Sequence, residues 1–115
     1  MTKSNLNWAI IAFLVLAFGA AGSAKLIGVE EMHNSFRVLG LPEWFGYFIG
    51  ASEVAGAIGL LVRKLSAAAG AGLAIIAISA VGYHVAYDPL TAAIPALTLG
   101  VLSFVIVFAR KADSI

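Results

Sequence analysis

The chain has 115 residues, of which 62% are hydrophobic and 11% charged, with a formal net charge of +1 and no cysteine. That apolar share exceeds what one soluble core of this length encloses, so lipid covers the excess. The seven Lys and Arg residues are scattered, so there is no basic field for phosphates and nucleic acid is not a partner. Without cysteine the chain itself has no thiolate nucleophile, no disulfide exchange and no Cys-ligated cluster or zinc.

In chain order, Lys3 precedes a first apolar run over 8–27. Together with Gly22-Ser23-Ala24 this run has the outline of a cleavable leader, but the segment is read here as a membrane span. Further runs cover 44–62, 65–87 and 90–109, each near the roughly 20 residues a helix needs to cross about 30 Å of hydrocarbon. Backbone amides in lipid have no water partner, so these runs are helical despite their glycines and β-branched residues. The expected architecture is all-α: a four-helix transmembrane bundle forming a single domain over 1–115.

Between the first two spans, Val29, Met32, Phe36 and Leu39 recur at helical spacing, with Glu30, Glu31, Asn34 and Arg37 at other positions. The spacing predicts a short interfacial amphipathic helix, capped by Gly40 and stopped by Pro42. The other connections are tight, so neighbouring spans run antiparallel. Positive charge lies before the first span (Lys3), between the second and third (Arg63, Lys64) and after the fourth (Arg110, Lys111). Glu30, Glu31, Glu43 and Asp88 lie on the other side, where Arg37 is the loop cation. The positive-inside rule therefore puts both termini in the cytoplasm of a plasma (inner) membrane protein, with Trp8 at the inner interface and Trp44 at the outer.

Small residues set the packing. Gly46, Gly50 and Gly56 punctuate the second span, Gly46 and Gly50 as a GxxxG pair, and the third span opens on an alanine and glycine run. A structural role outweighs a phosphate-cradling one, because no strand–turn–helix context surrounds these glycines.

Three ionisable residues stand inside apolar segments: Lys25, Glu53 and His84. Each costs about 2.5–3.5 kcal/mol at a helix centre on insertion scales, so each needs a partner or a wet cavity. Glu53 is deepest, roughly 13–14 Å below the outer end of the second span at the helical rise. It shares its face with Gly46, Gly50, Ala57 and Leu60, and so looks into the bundle. Lys25 has two readings, snorkelling to the outer surface or pairing with Glu53 on the next, antiparallel helix. His84 lies one turn below Asp88, beside Tyr83 and Tyr87. A lone His at such a place is usually a hydrogen-bonded interfacial residue, but its face of Gly70, Ala77 and Ala80 is small, which favours a turn inward, toward Glu53. All three belong to the outer half, where a cavity opening outward is expected.

No metal site is assigned. His33 and His84 with Glu30, Glu31 or Glu53 supply ligand types, but without the tight His-x-x-x-His or Glu-x-x-His spacing of metal sites. Ser23, Ser52, Ser79 and Ser103 lie among small residues, where hydroxyls bond back to the helix backbone rather than form a triad.

With these residues in view, the chain resembles the DoxX-like family of small four-helix membrane proteins. The resemblance rests on Phe18 to Leu26 (FGAAGSAKL), on Leu39-Gly40-Leu41-Pro42, on Glu53 with Gly56 and Ala57, and on His84. The family takes its name from a membrane subunit of a thiosulfate:quinone oxidoreductase. Other relatives are linked to membrane redox and oxidative-stress assemblies, and a distant branch includes a receptor-assembly chaperone. The resemblance thus implies a membrane subunit of a redox complex, binding a quinone-like or other apolar molecule near Lys25, Glu53 and His84. Nothing in the chain carries electrons, so catalysis by the chain alone is not expected. The alternative is a non-enzymatic scaffold or assembly factor. Membrane lipid and a membrane-protein partner or second copy are the expected partners. A small transporter is disfavoured, because alternating access from four helices needs an oligomer.

Overall fold

A computed structural model of the chain describes residues 3–111, so positions 1–2 and 112–115 of the expected domain lie outside the described residues. The elements are all helical: α1 (Lys3–Leu26), α2 (Glu30–Val38), α3 (Glu43–Leu61), α4 (Ser66–Tyr87), a 3₁₀ turn (Leu90–Ala92) and α5 (Ala93–Arg110). Four of them are long and apolar enough to cross a membrane: Ser4–Leu26, Glu43–Leu61, Ser66–Tyr87 and Leu90–Arg110. The expected spans therefore stand to within a few residues. The largest shift is at α1, whose helix begins before the apolar run, because Ser4, Asn5 and Asn7 continue the same helix.

α1 packs along α3, α4 along α5 and α3 on α4, while α5 returns to α1 over a shorter stretch. The centre is filled by Ile11, Leu14 and Phe18 of α1, Ala57 and Leu60 of α3, Leu73 and Ala77 of α4 and Ile106 of α5. Large apolar side chains such as Leu16, Ile58, Ile75 and Val101 point outward, as a bundle solvated by lipid requires.

Glycines let α1 and α3 approach closely. A Cβ added at Gly50 would stand 2.7 Å from Lys25 Cβ and 2.9 Å from the Gly22 carbonyl oxygen, and one at Gly22 would stand 2.7 Å from the Gly50 carbonyl. The two backbones meet with no room for a methyl group, which brings the last turn of α1 against the upper half of α3. Gly56 receives the Leu73 side chain of α4.

The α1–α2 and α2–α3 junctions share one device. At the end of α1, Gly28 N–H donates to the Lys25 carbonyl and Val29 N–H to the Ala24 carbonyl, with Gly28 at φ +84°. At the end of α2, Gly40 N–H donates to Arg37 and Leu41 N–H to Phe36, with Gly40 at φ +75°. Both are Schellman endings, which need a left-handed residue that glycine adopts without strain. Gly40 matches the expected cap, and Gly28 is a second one. Between these glycines α2 lies across α3 and the end of α1.

Candidate functional site

Lys25 falls in the last turn of α1, where an ammonium complements the negative end of the helix dipole. Glu53 lies about 15 Å along α3 from its first residue, Glu43, at 1.5 Å per residue. The Gly22–Gly50 approach sets the two side chains opposite each other. Lys25 Nζ stands 2.7 Å from Glu53 Oε1, with the side chains only 12% and 5% exposed. Of the two readings for Lys25, the structure has the ion pair. Both side chains are largely removed from solvent, and each charge offsets the other's desolvation.

His33, which the sequence offers only as a possible metal-ligand type, is the buried residue of α2, at 3% exposure. Its Nε2–H donates to the Lys25 carbonyl at 2.8 Å, an acceptor that requires the proton on Nε2. The ring lies directly over Gly46 and packs against Tyr47 at 4.5 Å between centroids. Gly46 thus makes room for an imidazole from α2 rather than for a helix backbone. A signal for this was present, since positions 29, 32, 33 and 36 form one helical face and His33 belongs to it.

Outside this layer, Arg37 Nε and Nη2 donate to the two Glu43 oxygens at 2.8 and 3.3 Å, and Nη1 donates to Glu30 Oε2 at 2.6 Å. The Glu43 and Glu30 carboxylates hold the guanidinium above its ordinary range. The three residues are exposed, and they tie α2 to the first turn of α3.

His84 pairs differently from the expectation drawn from its small-residue face. Its Nδ1 lies 2.8 Å from Asp88 Oδ2, one turn on, with both side chains about one-third exposed (33% and 38%). An i,i+4 carboxylate lies within reach without any rearrangement of the bundle. The structure therefore joins Lys25 to Glu53, adds His33 beside them, and binds His84 to Asp88 at the end of α4. Among the described residues, no three His, Asp or Glu side chains gather as a metal site requires. Ser52, Ser79 and Ser103 donate to the carbonyls four residues back.

An open apolar groove of about 320 Å³ lies elsewhere, between α4 and α5, bounded by Ile78, Leu97, Gly100, Val101 and Phe104. It includes none of the three polar residues expected to share a cavity. At the opposite end of the bundle from Lys25, Arg110 is buried at 4% exposure with its guanidinium 4.7 Å from the Trp8 ring centroid. This fixes the end of α5 against the start of α1.

The family model described as the DoxX-like family matches residues 9–106. The chain belongs to the DoxX-like family. The matched stretch takes in the four spans almost entirely, the α2 connection, and each of Lys25, His33, Glu53 and His84. No curated protein and no solved structure matches the chain.

Proposed function

We propose that this DoxX-like protein is a membrane subunit of a redox assembly that holds a quinone-like apolar molecule beside the Lys25–Glu53 pair. The observation that carries the reading is that pair, 2.7 Å apart and nearly enclosed between two helices whose surroundings are apolar. A quinone carbonyl needs a hydrogen-bond or proton partner next to an apolar slot, and an ammonium and a carboxylate supply a donor and an acceptor in one place. His84, held by Asp88, is the third polar group of the same half of the bundle. Electrons come from a partner protein.

In this reading both termini face the cytoplasm of a plasma membrane. Arg63, Lys64, Arg110 and Lys111 lie at the inner end, and the α2 layer with Glu30, Glu31 and Glu43 at the outer. The test is extraction of the purified protein for co-purifying quinone, together with its melting temperature in added short-chain quinone. The reading expects bound quinone and a rise in melting temperature that Glu53→Gln abolishes. No extracted quinone and no rise overturn it.

A second reading, an assembly factor, is favoured by the open α4–α5 groove, which a transmembrane helix of a partner would fill. Here the ion pair only fixes one bundle packing. Pull-down from native membranes separates the two, since this reading requires a stoichiometric partner that is retained by a folded variant combining Lys25→Met and Glu53→Leu.

A further inference from the structure

We infer that α2 is a hinged lid over the Lys25–Glu53 pair, turning on Gly28 and Gly40 and held shut by the clamp from Arg37 to Glu43. The inference deepens the ligand-site reading above and takes its purpose from it, although lid movement itself is measured without ligand.

The cover is direct. His33 reaches from α2 to the carbonyl of Lys25 and lies over Gly46, on the α3 face that carries Gly50 and Glu53 farther down. The imidazole and Tyr47, 4.5 Å apart between centroids, thus lie at the α2 side of the α1–α3 contact that holds the pair.

The hinges are specific. Gly28 and Gly40 are the positive-φ residues of the described chain, and they stand immediately before and after the α2 segment. Each ends a helix by a Schellman turn, so rotation at these two glycines breaks the capping bonds of Val29 and Leu41 but leaves the hydrogen bonds inside α1, α2 and α3 in place. α2 has one buried residue, His33, and its apolar contact with α3 is carried by Phe36 against Phe45, at 5.5 Å between ring centroids.

The latch is of a different kind from the rest of the packing. The Arg37–Glu30 contact lies within α2 and travels with it, whereas the contact from Arg37 to Glu43 crosses to α3 and must break for α2 to lift. That contact is exposed to water, so salt weakens it, while the buried Lys25–Glu53 pair is screened far less.

The test uses the chain's own amines. Purified protein in detergent micelles is acylated with a water-soluble N-hydroxysuccinimide ester, and mass spectrometry follows Lys25 against Lys64, an exposed reference at the other end of the bundle. Amide hydrogen exchange is recorded in parallel. The lid predicts slow labelling of Lys25 and a severalfold rise in the Lys25/Lys64 ratio in Arg37→Ala. It predicts the same rise in the unsubstituted protein at about 1 M salt, where screening acts over about 3 Å. In both cases α2 amides exchange faster while α4 stays protected. A ratio unchanged by salt, or a rise matched by equal loss of protection in α4, overturns the lid. The salt arm stands even if Arg37→Ala does not fold. Quinone binding does not enter these readouts, so a protein that binds no quinone but passes them keeps its lid.

Discussion

Lys25 and Glu53 form an ion pair at 2.7 Å across a close helix contact, where the Gly22 and Gly50 backbones leave no room for a methyl group. The glycines and the charges are one arrangement, since the glycine contact sets the distance over which the ammonium and carboxylate meet.

Breaking the pair from either side leaves a buried charge alone. Glu53→Gln and Lys25→Met are each expected to destabilise the bundle by about 3–5 kcal/mol. Lys25→Met with Glu53→Leu removes both charges at once and is expected to lose less than either single change. A double-mutant cycle on unfolding in mixed micelles measures this, and additive losses would show that the two residues do not interact.

Gly50→Ala and Gly22→Ala force the α1 and α3 backbones apart, and about 1–3 kcal/mol of overpacking is expected at each. Gly72 offers the contrast, because a Cβ there meets nothing within 4 Å. Gly72→Ala is expected to be neutral or to stabilise by up to about 1 kcal/mol through helix propensity. Melting temperatures of the three variants in one detergent check the ranking.

His33→Ala removes the donor to the Lys25 carbonyl and the contact with Tyr47, an expected loss of about 1–3 kcal/mol. Gly46→Ala drives its new methyl into the same ring. Once the ring is gone that clash disappears, so His33→Ala with Gly46→Ala is expected to lose clearly less than the two separate losses combined. Thermal unfolding of the two single variants and the double variant decides this.

Much of this arrangement can be read from the residues themselves. The apolar runs mark the four spans because lipid imposes both their length and their helicity. The Lys25–Glu53 pair follows from the expense of two lone charges on adjacent antiparallel helices. Gly40 followed by Leu41-Pro42 announces the end of α2. His33 is harder to read, since its burial depends on α2 folding back over Gly46, a tertiary contact that local periodicity only hints at. His84 allows two readings from its sequence, an interfacial hydrogen bond or a turn inward on its small-residue face, and Asp88 four residues on lies within 2.8 Å. The clamp from Arg37 to Glu43 spans the Gly40 turn, and its geometry depends on the angle that turn sets.

Arg37→Ala leaves the membrane bundle intact and loosens only its outer layer. Its melting temperature is expected to fall slightly at low salt and to coincide with the parent's at about 1 M salt, where exposed charges are screened. A large, salt-independent fall would mean that the clamp supports the whole bundle.

The most direct test of the ligand-site reading is binding of a short-chain quinone to the folded protein in which Lys25→Met and Glu53→Leu are combined. Thermal unfolding first verifies that the bundle has formed, and binding is then followed by titration. A folded double variant that no longer binds a quinone held by the parent is the predicted result. A folded double variant that binds it as tightly as the parent would contradict the account and leave the pair as a packing device alone.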